Sequence, residues 1–132
     1  MPILNVKISV KKSIDTTQKI SAMLLELTER ILGKDPRLTS IAIDYVDPDD
    51  WIVGGSSLTI QKKSSVYFDI KITDETNTKA EKAKYIDEAF SAFALMLGNL
   101  HEESYIYVQD VRASAYGYGG KTQEFRYQHK PV

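Results

Sequence analysis

The residue pair Met1-Pro2 is the first feature of this sequence that could do chemistry, because it precedes an alternating apolar segment typical of a β-strand. Initiator methionine is commonly removed before a small residue, and removal here would leave Pro2 with a secondary amine. Such an amine can take a proton when burial and neighbouring cations lower its pKa towards 7. A proline is also simply tolerated at the first position of a strand, so the pair alone leaves both interpretations open.

The other candidates for chemistry favour ordinary structural roles. His101 and His129 are the only histidines, and neither has a partner at a spacing that predicts a catalytic or metal site. The acidic run 47–50 lacks the spacing and the glycine of a calcium loop, which favours a solvated turn. The glycine-rich segments 54–55 and 117–120 have no Gly-Lys-Ser/Thr sequence and no predicted helix after them, so they indicate turns rather than phosphate sites. We therefore expect no metal site and no cofactor.

The composition narrows the class of protein further. The chain has 132 residues, of which 42% are hydrophobic and 27% charged, as expected for one soluble domain with a real core. Seventeen basic and eighteen acidic residues give a net charge of −1, which argues against a nucleic-acid partner. The absence of cysteine excludes disulfides and thiolate chemistry. With no membrane-length apolar run and no signal-peptide pattern, we expect a cytoplasmic protein without membrane contact.

The same order of elements occurs twice along the chain, which predicts a duplicated βαβ unit. Alternating apolar and polar residues predict four strands, at about 4–10, 41–45, 66–72 and 105–108. Several landmarks recur at a common offset of 65 residues, namely Gly33 and Gly98, Gly54 and Gly119, Gly55 and Gly120, and Trp51 and Tyr116. Shared spacing of several elements is much better evidence for duplication than any one of them.

Each unit contains one predicted helix between its two strands. The first helix is expected to open with a capping box of Asp15 and Gln18 and to close at Gly33. The second is expected to open with the capping box of Thr78 and Glu81, and apolar residues at helical spacing extend over 83–97.

Two βαβ units predict an α+β two-layer sandwich, in which a four-stranded mixed sheet carries both helices on one face. We expect a single domain over 1–132, with repeats at about 2–60 and 65–120 and a C-terminal arm at 121–132 that could reach another subunit. The second sheet face has no helix to cover it, which favours assembly. It would carry Asn5, Lys7, Tyr67, Asp69, Lys71, Tyr105 and Tyr107.

From Pro2 to about Phe125, the sequence resembles the tautomerase superfamily, which includes 4-oxalocrotonate tautomerase and the macrophage migration inhibitory factor/phenylpyruvate tautomerase family. The resemblance is carried by Pro2 at the start of a strand and by two units of about 60 residues, each followed by a glycine pair. Its specific segments are Gly33-Lys34-Asp35-Pro36, Gly54-Gly55-Ser56-Ser57 and Tyr105-Ile106 with Asp110.

The resemblance implies a role for several residues. Pro2 would be the catalytic base, and Lys34 would face the carboxylate or carbonyl of the substrate. Ile72 lies near the family's backbone-donating position, within a residue. Tyr105 matches a tyrosine that a neighbouring subunit contributes to the pocket. Trp51 matches the aromatic residue before the glycine pair of 4-oxalocrotonate tautomerase, although core packing explains it equally well.

Departures from the family pattern keep alternatives open. Ala42 stands where 4-oxalocrotonate tautomerase has a substrate-binding arginine, and Lys12 stands near the place of another, so Lys12 is a further candidate for substrate binding. The segment 73–77 lacks the arginines of the dehalogenase and decarboxylase branches, which leaves those activities as minor alternatives. Tyr107 occupies the place of the inhibitory factor's asparagine.

The sequence and its resemblance together predict a cofactor-independent tautomerase that acts on a small 2-oxo acid and assembles as a homotrimer. The competing hypothesis is a non-catalytic binding or assembly module of the same fold. The catalytic hypothesis requires that Met1 be removed, because an amide nitrogen at Pro2 has essentially no basicity.

Overall fold

A four-stranded mixed sheet forms the framework of the protein, and our computed structural model describes residues 2–130 of the chain. The strands in chain order are β1 Ile3–Ile8, β2 Ser40–Tyr45, β3 Ile52–Val53, β4 Ser56–Ser57, β5 Val66–Thr73, β6 Tyr105–Val111, β7 Gly117–Tyr118 and β8 Lys121–Thr122. The α-helices are α1 Ile14–Leu32, α2 Leu58–Gln61, α3 Lys79–Leu97 and α4 Gln123–Gln128, and short 3₁₀ turns span Pro36–Leu38 and Pro48–Asp50.

The main sheet joins the two predicted βαβ units side by side. Its strand order is β2-β1-β5-β6, with β1 parallel to β2, β5 parallel to β6, and the two central strands antiparallel. Strands β1 and β2 therefore begin at the end of the sheet where β5 and β6 finish. We call this the Pro2 end of the sheet, and we call the opposite end, where β1 and β2 finish, the Trp51 end.

One face of the sheet is covered by α1 and α3, and the alternation of β1 explains why. Leu4, Val6 and Ile8 are fully buried in the core, whereas the residues between them are exposed on the other face. The same core contains Phe68 and Ile70 of the neighbouring central strand. The predicted α+β sandwich with two helices on one face is thus confirmed.

The first long helix begins differently from the prediction. Its N-cap is Ser13, whose side chain accepts a hydrogen bond from the Thr16 amide, so the helix starts two residues earlier than the Asp15–Gln18 capping box required. Asp15 lies in the first turn and pairs with Lys19 at 3.0 Å. Gly33 ends the helix with φ 70°, the left-handed geometry that was predicted there.

The second long helix opens with the predicted Thr78–Glu81 capping box. Its fully buried residues are Tyr85, Ala89 and Phe93, whereas Ile86 is 37% exposed, so the buried stripe is rotated relative to the one inferred from apolar residues alone. The reason is that the Tyr85 hydroxyl hydrogen-bonds the buried Thr28 hydroxyl of α1 at 2.8 Å. This bond satisfies both polar groups inside the helix layer.

Each predicted glycine turn closes a small hairpin, and the internal offset of 65 residues holds for these elements too. The hairpin of β3 and β4 matches that of β7 and β8, and α2 and α4 begin at equivalent positions, Leu58 and Gln123. The expectation that no helix follows these turns was wrong, because the hydroxyls of Ser57 and Thr122 cap both short helices.

Residues 121–128 of the predicted C-terminal arm fold back on their own chain. The Glu124 amide donates to the Ala113 carbonyl at 2.9 Å, and Arg126 Nη2 donates to the Tyr118 carbonyl at 2.8 Å. Residues 131 and 132 lie outside the described part. Within residues 2–130, no helix is both long and apolar enough to cross a membrane.

Candidate active site

Pro2 lies at the start of the central strand β1 and is buried. Its carbonyl accepts a hydrogen bond from the Ser40 amide at 3.1 Å. The antiparallel register that pairs Ile3 with Lys71 places Pro2 beside Ile72 at the end of β5. By the alternation of β1, Pro2 lies on the same side of the sheet as Leu4, beneath the helix layer. Met1 lies outside the described residues.

Ile72 is fully buried, and its partner on the next strand is Asp110. Asp110 forms an ion pair with Lys82 of α3, which orients the carboxylate towards the helix layer. The start of β1 thus meets the ends of β5 and β6 at the Pro2 end of the sheet. Two of the sequence-predicted residues, Pro2 and Ile72, are brought together there.

Lys34 lies at the same end, directly after the left-handed turn that ends α1. Its ammonium group donates a hydrogen bond to Thr76 Oγ1 at 2.8 Å. Burial lowers the pKa of Lys34 below its ordinary value, while the negative charges of Glu81 and Asp110 partly offset that decrease. A half-buried cation of this kind is screened less by water than an exposed one, which strengthens its interaction with an anion.

A chain of hydrogen bonds extends from Lys34 to the second half of the protein. The hydroxyl of Thr76 donates to the Thr73 carbonyl at 2.5 Å, and the Thr73 hydroxyl is hydrogen-bonded to the hydroxyl of Tyr116. Burial raises the pKa of Tyr116 above its ordinary value. Lys34 is therefore held at one end of an ordered polar network.

Tyr116 also lies at this end, and it was not among the predicted site residues. It is related to Trp51 by the 65-residue offset, and each aromatic residue precedes its own hairpin. The two units run antiparallel in the sheet, so the hairpin of one unit lies at the end of the sheet where the other unit begins. The hairpin of β7 and β8 therefore lies at the Pro2 end. The 65-residue offset from Trp51, combined with the antiparallel pairing of the two units, could have placed Tyr116 at the Pro2 end.

Tyr105 and Trp51 lie together at the Trp51 end, away from Pro2. Tyr105 begins β6 and pairs with Tyr67, five residues before the pair of Asp110 and Ile72. Both Tyr105 and Trp51 line a cleft of about 710 Å³. The Tyr105 hydroxyl donates to Glu103 at 2.6 Å, and this bond raises the pKa of Tyr105. Within one chain, these two residues are not brought to Pro2.

Lys12 is exposed in the segment between β1 and α1, also at the Trp51 end. His129 stacks on Phe125 with ring centroids 3.9 Å apart, at the end of α4. The acidic run 47–50 forms a 3₁₀ turn in which Asp47 accepts the Asp49 amide, in line with the predicted turn. Among residues 2–130, no group of three or more His, Asp or Glu side chains could hold a metal ion.

A curated relative aligns with half of this chain. It is described as "Probable tautomerase K2" from Dickeya dadantii (strain 3937), and it is 34% identical over 67 residues. The aligned region covers 49% of this chain and 98% of the relative, so the relative has about the length of one βαβ unit. No family model matches the chain.

Solved structures share the fold over nearly the whole chain. The asymmetric trimer of F6 fused 4-OT, wild type, has a TM-score of 0.80 at 15% identity, covering 93% of this chain and 97% of that one. A macrophage migration inhibitory factor homologue from Prochlorococcus marinus has a TM-score of 0.73 at 19% identity, covering 91% of this chain and 97% of that one. At such identities the likeness shows the fold alone.

Proposed function

The chain belongs to the tautomerase superfamily, and we propose that it catalyses keto–enol proton transfer on a small 2-oxo acid with Pro2 as the amino-terminal general base. Its reaction class is that of a tautomerase, an isomerase in which no atoms are gained or lost. The observation that carries the proposal is that buried Pro2 lies at the same end of the sheet as Lys34, which is positioned by its hydrogen bond to Thr76.

The proposed step is a balanced proton transfer. The lone pair of the Pro2 amine takes a proton from the carbon next to the substrate carbonyl, and the electrons of that C–H bond form the enolate double bond. The carbonyl π electrons move to the oxygen, where the Lys34 ammonium stabilises the developing charge. The protonated proline then returns its proton to that oxygen, so that the product is the enol. The proposed chemistry requires no cofactor.

The surroundings of Pro2 favour a neutral amine at physiological pH. Burial disfavours the charged form of an amine, and a neighbouring cation such as Lys34 disfavours it further. Both effects lower the pKa of the amine towards the pH at which it must accept a proton. Removal of Met1 is part of this proposal, because only the free amine has a lone pair available for the proton.

The substrate carboxylate would be held by Lys34, with Ile72 lining the same end of the sheet. Lys12 and Trp51 remain proposed substrate contacts that one chain by itself leaves at the opposite end. They, like Tyr105, would reach a substrate at Pro2 only through another copy of the chain.

We propose that the protein is a homotrimer in which Tyr105 of one copy completes the Pro2 site of the next. The sheet face opposite the helices exposes Tyr105 and Tyr107 by 51% and 47%, which leaves aromatic surface for an interface. A head-to-tail contact between unlike ends closes into a ring when the rotation allows it. The fold neighbour described as fused 4-OT is a trimer.

Light scattering of the purified protein at micromolar concentration tests the assembly. We expect a mass near 45 kDa, which is three times the chain mass of 14.9 kDa. A stable monomer of 14.9 kDa would contradict the trimer and remove the proposed role of Tyr105.

A binding or assembly module without catalysis is the second candidate, and Ala42 is the observation that favours it. Ala42 lies on the exposed face of β2 and offers no charge where 4-oxalocrotonate tautomerase has an arginine. Dehalogenation or decarboxylation remains a weaker proposal, because the segment 73–77 carries no arginine.

Turnover of phenylpyruvate and 2-hydroxymuconate by the native protein and by Pro2→Ala separates these candidates. We expect measurable isomerisation that falls by at least 100-fold in Pro2→Ala, since general-base catalysis contributes about 10²–10⁴-fold. Pro48→Ala is the matched control, because Pro48 opens a surface 3₁₀ turn near the Trp51 end. Equal activity of native protein and Pro2→Ala would contradict the proposed base, and no activity in either would favour the binding module.

A further inference from the structure

The β7–β8 hairpin directly follows Tyr116 at the Pro2 end, and it is small. Its two strands are joined by the residue pairs Gly117–Thr122 and Tyr118–Lys121. A two-stranded hairpin of this size is at best marginally stable in water. Contacts from outside its own strands must therefore hold it, and Tyr116 with it, in one position.

Arg126 of α4 supplies two such contacts. Its Nη2 donates to the Tyr118 carbonyl at 2.8 Å, and its guanidinium carbon lies 3.8 Å from the centroid of the Tyr118 ring. The approach is close, because a Cβ atom at Gly119 would lie only 2.8 Å from the same Nη2. The Gln123 amide donates to the Tyr116 carbonyl at 2.9 Å, so the helix that carries Arg126 is fixed next to Tyr116.

The first unit contains the same contact with a different side chain. At the 65-residue offset, Gln61 corresponds to Arg126 and Val53 to Tyr118. Gln61 Nε2 donates to the Val53 carbonyl at 2.7 Å, so a bond from the short helix to the hairpin is a repeated feature of the fold. The first unit has neither a cation nor an aromatic ring at these positions, whereas the second unit has both, and its hairpin lies at the Pro2 end.

Hydrogen bonds lead from this hairpin to the cation that is proposed to bind substrate. The Tyr116 hydroxyl is bonded to the Thr73 hydroxyl, and the Thr73 carbonyl accepts the Thr76 hydroxyl at 2.5 Å. The same Thr76 oxygen accepts the Lys34 ammonium at 2.8 Å. A displaced hairpin would therefore loosen the turn that receives Lys34.

We propose that Arg126 is a positioning residue for the Pro2 end, an inference that rests on the proposed function. Arg126 acts through other residues rather than by contact with the substrate. Its two contacts hold the hairpin, and Tyr116 and Thr73 extend that order to the segment that receives the Lys34 ammonium. Loss of the contacts would leave Lys34 less fixed and more exposed to water.

The pKa of Lys34, measured by NMR titration of its side-chain signals, tests the proposal without any need for turnover. Arg126→Met and Arg126→Gln both remove the charge at similar side-chain size. Only Gln keeps an N–H donor for the Tyr118 carbonyl, as Gln61 does for Val53. Burial lowers the pKa of Lys34 in the native protein, so Arg126→Met should raise it and Arg126→Gln should raise it less.

Gln128→Ala is the control, because Gln128 is an exposed residue of the same helix, and it should leave the pKa of Lys34 unchanged. Equal shifts in Arg126→Met and Arg126→Gln would overturn the proposal, because only the lost charge would then act on Lys34. An unchanged pKa in Arg126→Met would overturn it as well. If Arg126→Met does not fold, Tyr118→Leu decides, since it removes the stacked ring and leaves the charge in place. It should raise the pKa of Lys34, and no rise would overturn the proposal.

Kinetics with phenylpyruvate measure the consequence for the proposed reaction. Arg126→Met should lower kcat/KM by about 2- to 10-fold, the range expected for one neutral hydrogen bond. It should lower kcat/KM by less when Tyr116→Phe is already present, because both substitutions interrupt the same chain of contacts. Full additivity of the two losses would overturn the proposal. A native protein without turnover would contradict the proposed function instead, and the Lys34 titration would still decide the role of Arg126.

Discussion

The Pro2 end and the Trp51 end of the sheet are built from equivalent elements, yet their charged side chains differ in sign. At the Pro2 end, the half-buried ammonium of Lys34 is tied through Thr76 and Thr73 to Tyr116. At the Trp51 end, Glu103 is the charged group in a cleft of aromatic and neutral polar side chains. The shared scaffold sets where side chains meet, and the side chains decide the chemistry.

The comparison also explains why a proline can be chemically active at only one of the two ends. Pro2 lies at a position where removal of Met1 would expose an amine, whereas the equivalent position in the second unit is internal to the chain. Val66 fills that position, because it pairs with Ile8 as Pro2 lies beside Ile72, and its fully buried side chain is apolar. Duplication therefore leaves the second position without a basic group.

After Pro2→Ala, the largest effect is expected from the removal of the cation at the Pro2 end. In Lys34→Ala, kcat/KM should fall by about 10- to 100-fold, because one charge-assisted hydrogen bond to substrate is lost. Lys12→Ala removes a contact proposed from the opposite end of another copy and should lower kcat/KM by less than Lys34→Ala does. Lys11→Ala is the control, because this exposed neighbour has no proposed role, and it should change kcat/KM by less than about twofold. Steady-state kinetics with phenylpyruvate decide this, and a greater loss in Lys12→Ala than in Lys34→Ala would reverse the assignment of the two lysines.

The pH profile of the same reaction sharpens the role assigned to Lys34. Activity should rise with pH as the Pro2 amine loses its proton, and fall again as Lys34 loses its own. Because burial lowers the pKa of Lys34, the descending limb should lie below the ordinary lysine range. In Lys34→Arg, where the cation keeps its charge, that limb should move to higher pH. A profile identical to that of the native protein would separate Lys34 from the reaction.

A smaller effect should distinguish the two related aromatic residues, Tyr116 and Trp51. Tyr116→Phe removes the hydrogen bond to Thr73 and should lower kcat/KM by about 2- to 10-fold, the worth of a neutral hydrogen bond. Trp51→Phe keeps an aromatic ring at the position that a neighbouring copy would contribute, so kcat/KM should fall by less than in Tyr116→Phe. A larger loss in Trp51→Phe would contradict this order and show that the substrate requires the indole itself.

The smallest effect on turnover is expected for a substitution in the helix layer, which covers the sheet between its two ends. Tyr85→Phe breaks the buried bond to Thr28 and should lower the free energy of unfolding by about 1–3 kcal/mol. Burial raises the pKa of Tyr85 to about 12, so the native state resists ionisation that the unfolded chain undergoes near pH 10. Stability from this group is thus complete below pH 10 and is lost as the pH rises towards 12.

Urea titrations at pH 7 and pH 11 measure both effects. Tyr85→Phe should be less stable than the native protein at pH 7 and should lose less stability between the two pH values. Phenylpyruvate turnover by the folded protein at pH 7 should stay unchanged, because the Tyr85 hydroxyl bonds Thr28 within the helix layer. A loss of turnover without a loss of stability would contradict this purely structural role.

Much of the fold could be predicted because its signals are local and repeated. Alternation placed β1 and β5, and the Thr78–Glu81 pair placed the start of α3. The start of α1 was misjudged, because Ser13 and Asp15 are both good caps and only the folded chain decides between them. The buried face of α3 was also misjudged, because Tyr85 is buried through a bond to another helix.

The candidate site was predictable only in part, because its geometry depends on pairing across the two units. Pro2, Lys34 and Ile72 were proposed from the resemblance, and the structure brings them to one end of the sheet. Tyr116 was missed because its position at that end follows from the antiparallel pairing of β1 and β5, which no local pattern encodes. The cleft around Glu103 depends on the same long-range contacts.

Intact-mass spectrometry on protein from its native cells, combined with phenylpyruvate turnover by the same preparation, tests whether Pro2 acts as an amino-terminal base. We expect active protein to lack the mass of one methionine residue, and a preparation retaining Met1 to be inactive because its proline nitrogen is an amide. Full activity of protein that retains Met1 would show that Pro2 is not the base.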